Sequence, residues 1–204
     1  MALSKIQSES VNLADDFAFT GTVSGAGAME HISTTDVTTP AQFVVFDNLS
    51  TAYDTFVFQY EFHPSNDGAQ FGIQFLDSSG AAIDDADGYG FYNDFDGTAI
   101  SSDSTNFIYI SGSTIGNDTH EGLRGQLTLL GRNYAVATNA VPPCVIGSGI
   151  GHYVANVYSG GIINGGLNSQ QVQTIRGIRF FTTTFNIERG KVHLYGIRST
   201  GKNM

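Results

Sequence analysis

The stretch Thr174–Arg198, TIRGIRFFTTTFNIERGKVHLYGIR, contains two apolar-rich runs divided by a short segment that ends in Arg189-Gly190. Ile, Phe, Val, Leu and Tyr, which favour strands, are frequent in both runs, Thr174–Thr182 and Lys191–Arg198. Gly190 is free to adopt the positive φ that a tight connection requires. The pattern predicts two paired strands that close an all-β domain, with the second strand anchoring the C-terminal region.

The composition of the whole chain agrees with this interpretation. The 204 residues include 25 Gly, 15 Phe and 9 Tyr, and only 14% are charged. Glycine and aromatic residues at these levels are typical of many short strands joined by tight turns. A chain of this length suits one domain, which we predict over residues 17–204, after a polar and acidic N-terminal arm at residues 1–16.

The clearest alternation of apolar and polar residues lies in Tyr53–Phe62, YDTFVFQYEF, and a similar aromatic alternation follows in Gln70–Leu76. Between them, Asp67-Gly68 is a strong hairpin signal. The sequence therefore predicts that the two strands pair. The residues expected in the core are Phe56, Phe58, Phe71 and Ile73.

Further strands are predicted wherever short apolar runs are bounded by turn residues. These strands are Phe17–Val23, Phe43–Phe46, Tyr89–Tyr92, Phe107–Ile110, Gln126–Leu130, Tyr134–Ala137, Tyr153–Tyr158 and Ile162–Leu167. Residues 24–41, most of 81–106, and 138–151 read as loops, and Ser159-Gly160-Gly161 as a hairpin turn. Roughly ten to twelve strands without a convincing helix predict a two-sheet β-sandwich of jelly-roll type.

The net charge of −10 is divided unequally along the chain. Residues 1–123 carry −17, with Lys5 as their one base, whereas residues 124–204 carry +7, with Glu188 as their one acid. Two explanations are open: acidic and basic strands interleave within one sandwich, or acidic and basic faces of neighbouring subunits meet in an assembly. The overall negative charge argues against nucleic acid as a partner.

One acidic cluster offers a candidate ion site. Carboxylates on a flexible loop are ligands that Ca²⁺ prefers, although the spacing does not match the EF-hand pattern. Turns rich in Asp and Asn produce the same cluster without any ion, so a solvated turn is the alternative. The candidate calcium ligands are Asp84, Asp85, Asp87, Asp94 and Asp96.

A neighbouring group of residues is a candidate for sugar contact. Sugar sites combine aromatic rings that stack on the sugar with polar groups that bind its hydroxyls. Tyr89, Phe91, Tyr92 and Asn93 have that chemistry, and the alternative is an ordinary strand and turn. The group would serve a carbohydrate-binding module.

No catalytic constellation stands out, and we predict a non-enzymatic protein. Cys144 is a single cysteine in a Gly- and Pro-rich segment, and the five histidines are scattered without metal-ligand spacing. The first ten residues are too polar for a signal peptide. No run approaches the ~20 apolar residues of a membrane span, so we expect no membrane insertion.

Two segments resemble proteins of tailed bacteriophages. Ser8–Gly27, SESVNLADDFAFTGTVSGAG, is similar to a stretch that recurs in tail-fibre and other structural proteins. Ile175–Arg198 resembles the closing strands of fibre and decoration domains, through Ile187, Gly190 and Leu194-Tyr195-Gly196-Ile197. These motifs are structural rather than catalytic, and the middle of the chain has no counterpart.

The resemblance implies a virion structural protein with a lectin-like, jelly-roll sandwich, made in the host cytoplasm. It implies a protein that self-associates, with a trimer favoured, and that contacts other virion proteins in a tail fibre, a tail tip or on the capsid. The N-terminal arm would dock on a neighbour. Two rivals are a module that binds glycans of the host surface and a small depolymerase or glycosidase, for which no acid pair is marked.

Overall fold

The computed structural model describes residues 29–112, 114–131, 142–153, 157–168 and 174–198. Within these residues the secondary structure consists of twelve strands, and no helix there is long and apolar enough to cross a membrane. The N-terminal arm at 1–16 and the predicted strands Phe17–Val23 and Tyr134–Ala137 lie outside the described residues.

The twelve strands are numbered in chain order. Their bounds are β1 Met29–Val37, β2 Phe43–Phe46, β3 Thr55–Pro64, β4 Phe71–Leu76, β5 Tyr89–Phe95, β6 Thr98–Thr105, β7 Ile108–Tyr109, β8 Gly122–Leu130, β9 Cys144–Tyr153, β10 Val157–Leu167, β11 Gly177–Thr182 and β12 Ile187–Ile197.

Every strand pairing is antiparallel, and the strands form two sheets. The large sheet has eight strands in the order β1-β12-β3-β8-β9-β10-β5-β6, and the small sheet has four in the order β2-β11-β4-β7. The two sheets pack face to face around one apolar core. This confirms the predicted all-β, two-sheet sandwich, whereas its jelly-roll connectivity stays a prediction.

The alternation along β3 places its rings in the core. Phe56, Phe58, Tyr60 and Phe62 are buried, while Gln59 and Glu61 between them are exposed. In a strand, alternate side chains point to opposite faces of the sheet. The strand therefore gives the core a continuous row of four aromatic rings.

Phe180, in β11 of the small sheet, faces that row. Its ring centroid lies 5.7 Å from that of Phe58 and 5.5 Å from those of Tyr60 and Phe62. It also meets Phe46 of β2, within its own sheet, at 6.1 Å. Tilted and edge-on contacts of this kind stabilise a core beyond the effect of buried area alone.

The predicted hairpin between β3 and β4 is wrong, because these strands belong to different sheets. β3 pairs with β12 and β8, whereas β4 pairs with β11 and β7. The turn containing Gly68, whose φ is 87°, lies in the connection that leads from β3 in the large sheet to β4 in the small sheet. Phe62 and Phe71 consequently stack across the sandwich at 5.6 Å. The burial predicted for the four core residues is confirmed.

The predicted pairing of the two C-terminal runs is wrong for the same reason. β11 lies in the small sheet between β2 and β4, and β12 lies in the large sheet between β1 and β3. Gly190 is inside β12, where a Cβ would lie 2.6 Å from the carbonyl oxygen of Glu61. The glycine thus permits close backbone approach rather than a turn. β12 pairs along both edges, with β1 and β3, which is the position expected of a strand that is integral to the fold.

Three segments predicted as loops contain strands: β1, β6 and most of β9. The predicted turn Ser159-Gly160-Gly161 lies within β10, which pairs with β9 along Val157–Gly166. These strands are rich in Gly, Ser and Thr, which resemble turn residues in sequence. Some of these glycines leave room for large core side chains: a Cβ at Gly149 would lie 3.1 Å from the Tyr60 hydroxyl oxygen.

The Tyr60 hydroxyl is fully buried and, among the described residues, has no hydrogen-bond partner. Burial raises the pKa of this phenol, because the charged form would lose its solvation. Tyr89, also buried, differs: its hydroxyl accepts a hydrogen bond from Phe75 N at 2.7 Å and donates one to Ile83 O at 2.9 Å. Removing each hydroxyl therefore compares the loss of an unpartnered buried hydroxyl with the loss of a hydrogen-bonded one.

We expect Phe58→Ala to lower the free energy of unfolding by about 3–5 kcal/mol, because it leaves a cavity between the two sheets. Urea denaturation followed by tyrosine fluorescence measures the change. Val45→Ala, at an exposed position of β2, is the control and should change stability by less than about 0.5 kcal/mol. A loss below about 1 kcal/mol for Phe58→Ala would contradict the packing described.

We expect Tyr60→Phe to leave the free energy of unfolding unchanged or to raise it by up to about 1 kcal/mol, since it removes an unsatisfied buried hydroxyl. Tyr89→Phe makes the same change where the hydroxyl has two partners, and should cost about 1–3 kcal/mol. Equal losses for the two variants in chemical denaturation would show that Tyr60 is hydrogen-bonded after all.

Candidate functional site

The outer face of the large sheet carries a row of alternating charges on four adjacent strands, which we call the charge row: Asp36 of β1, Lys191 of β12, Glu61 of β3 and Arg124 of β8. Lys191 Nζ lies 3.2 Å from Asp36 Oδ1, and Arg124 Nε lies 3.5 Å from Glu61 Oε2. Both pairs are solvent-exposed, so each contributes at most about 1 kcal/mol to stability.

The same pairs bear on the unequal charge of the two halves of the sequence. Each joins an acid from residues 1–123 to a base from 124–204, as do Arg176 with Asp47 at 2.7 Å and Arg198 with Glu30 at 3.0 Å. Hydrogen bonds from Tyr53 and Arg198 hold the pKa of Glu30 below its ordinary value. Part of the charge division is therefore neutralised within one sandwich, as the first explanation expected.

Beyond the charge row, the outer face becomes apolar on β9, β10 and β5. We call this group the apolar strip: Ile146 (46% exposed), Ile150 (49%), Ile162 (57%) and Tyr92 (55%). The strip is continuous with the charge row, because Ile150 pairs in register with Arg124. Large apolar side chains that share an exposed sheet face mark an interaction surface more often than isolated ones do.

At one end of the outer face lies a cavity of about 900 Å³, which we call the notch. Five residues follow one another across it: register aligns Arg189 of β12 with His63 of β3, and Gly122 of β8 with His152 of β9 and Tyr158 of β10. His63 and Gly122 each adjoin the last aligned pair of β3 and β8, Phe62 and Leu123. Four strand spacings of about 4.8 Å separate the outer two of the five residues, so the notch spans about 19 Å between backbones.

Gly122 forms the floor of the notch. Its φ is 150°, and a Cβ at this position would lie 2.8 Å from the carbonyl oxygen of Phe62. Side chains other than hydrogen are therefore disfavoured by both backbone conformation and space. The missing side chain leaves a gap between His63 and His152, on the strands to either side.

His63 forms one wall, with a hydrogen bond at Nε2 and a carboxylate near Nδ1 that does not meet hydrogen-bond geometry. Nε2 lies 3.0 Å from the carbonyl oxygen of Asp118, and Nδ1 lies 3.1 Å from Glu188 Oε2. A register shift in β12 between Ile187 and Arg189 accompanies this contact and leaves Arg189 aligned with His63. Such a bulge redirects side chains locally.

The loop before β8 forms the rim beside His63, and it is held by its own hydrogen bonds. Asp118 N donates to Glu121 Oε2 at 2.8 Å, and Asn117 N donates to Asp67 Oδ1 at 2.8 Å. Asn117 Nδ2 donates to Ser65 O at 3.2 Å. The rim is thereby tied to the connection between β3 and β4.

His152 and Tyr158 form the other wall. Their ring centroids are 4.4 Å apart, and His152 is buried whereas Tyr158 is 66% exposed. Within the part of the chain that the structure describes, Nδ1 of His152 has no hydrogen-bond partner. An exposed tyrosine ring thus packs on a histidine whose Nδ1 is enclosed within the protein.

The sugar-contact group predicted from the sequence does not form one surface. Tyr89, Phe91 and Asn93 point into the core, and Tyr92 alone of the four is exposed. Asn93 Nδ2 donates to Tyr109 O at 2.8 Å, and its Oδ1 accepts from Asn164 N at 2.9 Å, so its polar groups link strands instead. The predicted patch is corrected to Tyr92, which belongs to the apolar strip.

The five candidate calcium ligands do not converge either. Asp84, Asp85 and Asp87 precede β5, while Asp94 and Asp96 lie at its other end, about 20 Å along the strand. Asp96 Oδ1 accepts a hydrogen bond from Gly160 N at 3.1 Å. Among the described residues, no group of three or more His, Cys, Asp or Glu is placed to hold a metal ion.

Cys144, at the start of β9, is partly buried, and burial raises the pKa of its thiol. A raised pKa keeps the thiol protonated at neutral pH, which is its less nucleophilic form.

Sequence reasoning missed the notch altogether, since its residues lie on five strands and only register aligns them.

Comparison with known proteins finds no family model, curated protein or solved structure that matches this chain. The phage resemblance stays a prediction.

We expect Gly122→Ala to destabilise the protein by more than Gly68→Ala. Both glycines have positive φ, which costs other residues about 1–3 kcal/mol, but a Cβ at Gly68 meets nothing within 4 Å whereas one at Gly122 meets Phe62 O. Thermal unfolding of the two variants measures the combined effect of the close approach and of the more extreme φ at Gly122, 150° against 87° at Gly68. A melting temperature for Gly122→Ala equal to that of Gly68→Ala would contradict the close approach at the floor of the notch.

Proposed function

We propose that this chain is a non-enzymatic structural subunit that self-associates through the apolar strip on its large sheet. The exposure of Ile146, Ile150, Ile162 and Tyr92 on three adjacent strands is the observation that carries the proposal. Burying such side chains against another surface is favourable by about 25 cal/mol per Å² of apolar area. The phage resemblance supplies the context: a virion, in a tail fibre, a tail tip or on the capsid.

A second copy of the chain is the occupant that this surface fits. The charge row beside the strip holds two carboxylates and two cations, so a facing copy meets no net repulsion there. An apolar centre with a polar border is the usual anatomy of a protein interface. The resemblance favours a trimer. The number of copies is to be determined from the mass of the oligomer in solution.

We expect Ile162→Arg to dissociate the oligomer, because it places a charge at the centre of the apolar contact. Light scattering of the full chain should give a multiple of 21.8 kDa for the parent protein and 21.8 kDa for the variant. Val45→Arg makes the same kind of change on an equally exposed site of the small sheet and should leave the mass unchanged.

Two results would contradict the proposal: a parent protein that is monomeric at all concentrations, or an Ile162→Arg variant that keeps the parent mass. Salt adds a further check. Since the ion pairs of the charge row lie within one chain, the oligomer should persist in about 1 M sodium chloride, where the Debye length is about 3 Å. Dissociation there would indicate charge contacts between subunits instead.

A second candidate function is recognition of host-surface glycans. The notch favours it, since one cavity combines the exposed ring of Tyr158 with the polar side chains of Arg189 and the charge row. The two surfaces share a border, because Ile150 and the four residues of the charge row also line the notch, whereas Ile146, Ile162 and Tyr92 of the strip lie outside its lining. Together, the two proposals describe a structural subunit that also binds a receptor.

A further inference from the structure

The notch is lined by three carboxylates and three Lys or Arg side chains, so its formal charge is balanced, and one of the cations stands out by lacking an ion pair within the described part of the chain. Its carboxylates are engaged within the chain: Asp36 and Glu61 in ion pairs, and Glu121 as acceptor from Asp118 N. Arg189, by contrast, has no ion pair among the described residues, although it is exposed and lines the cavity. A guanidinium in this position suits a planar carboxylate, which it can bind with two parallel hydrogen bonds.

The opposite wall has different chemistry. Tyr158 offers a flat apolar ring that is backed by His152 on one side and open to solvent otherwise. An exposed aromatic ring is a platform on which the apolar face of a sugar can stack. This wall therefore suits a sugar.

The shape of the notch sets the size of the ligand. The backbones of Arg189 and Tyr158, its outer two residues, stand about 19 Å apart, and Gly122 on the floor between them carries no side chain. Long Arg and Tyr side chains shorten that gap, but one sugar ring would not reach both. A short oligosaccharide can lie across the floor and touch both walls.

We propose that the notch binds a short acidic oligosaccharide, with a carboxylate at Arg189 and a sugar ring stacked on Tyr158. This inference rests on the second candidate function, glycan recognition, and names its ligand class and residues. It places recognition at a site different from the Tyr89–Asn93 segment singled out in the sequence.

The test compares two trisaccharides that differ only in their carboxylates: α-1,4-linked tri-galacturonate and its carboxyl-reduced form. Isothermal titration calorimetry on the full chain should show tighter binding of the acidic sugar. Arg189→Gln should weaken the acidic sugar at least about tenfold and remove the preference, because a hydrogen bond to a charged group is lost. Its affinity for the neutral sugar should stay the same.

Tyr158→Ala should weaken both sugars by about tenfold, whereas Tyr158→Phe, which keeps the ring, should retain both affinities. Val45→Ala is the control, since it truncates an exposed side chain of the small sheet, away from both the notch and the apolar strip. Tyr158 and Val45 are both exposed, so these variants should fold as the parent does. Loss of binding in Val45→Ala but not in Tyr158→Ala would overturn the assignment.

Three further results would overturn the inference: no binding of either trisaccharide, equal affinity for the two, or displacement of the acidic sugar by inorganic phosphate at a similar concentration. The last would indicate a general anion site. Light scattering on the same samples keeps the proposals apart. If Ile162→Arg dissociates the oligomer while neither sugar binds, self-association stands and the saccharide site fails.

Discussion

Both sheets depend on the row of rings along β3 and on Phe180, which faces that row from the small sheet. Phe58, Tyr60 and Phe62 all contact this one side chain, so the sheets share a packing centre. Interiors of this density tolerate little change in volume. Because side chains alternate along β3, burial of these rings in the core directs Gln59 and Glu61 to the outer, solvent-facing side of the large sheet.

The sequence predicted which residues are buried better than it predicted which strands are neighbours. The alternation of Phe56, Phe58, Phe71 and Ile73 identifies a core face whether β3 and β4 pair in one sheet or cross the core between two. Local pattern does not distinguish these arrangements, because both bury the same side chains. Glycine misled in a similar way: Gly190 marked a turn in the sequence, yet it serves a close approach between strands.

The candidate site was less predictable than the fold. Arg189, His63, Gly122, His152 and Tyr158 lie far apart in the chain and are brought together by antiparallel strand pairing. No local spacing reveals such a row. Alternation within β5 could, however, have shown that the predicted sugar-contact group was divided, since odd-numbered residues there face the core and Tyr92 faces solvent.

The position of β12 has a consequence for how the protein is made. This strand is the last in the chain order of the described residues, yet it lies between β1 and β3, and its Arg198 meets Glu30 across 168 residues of sequence. Contacts so distant in sequence slow folding, because a long loop must close before they form. During synthesis on the ribosome, the edge of β3 that pairs with β12 stays unpaired until β12 has emerged. Newly synthesised chains are therefore exposed to aberrant edge-to-edge association until β12 has been made.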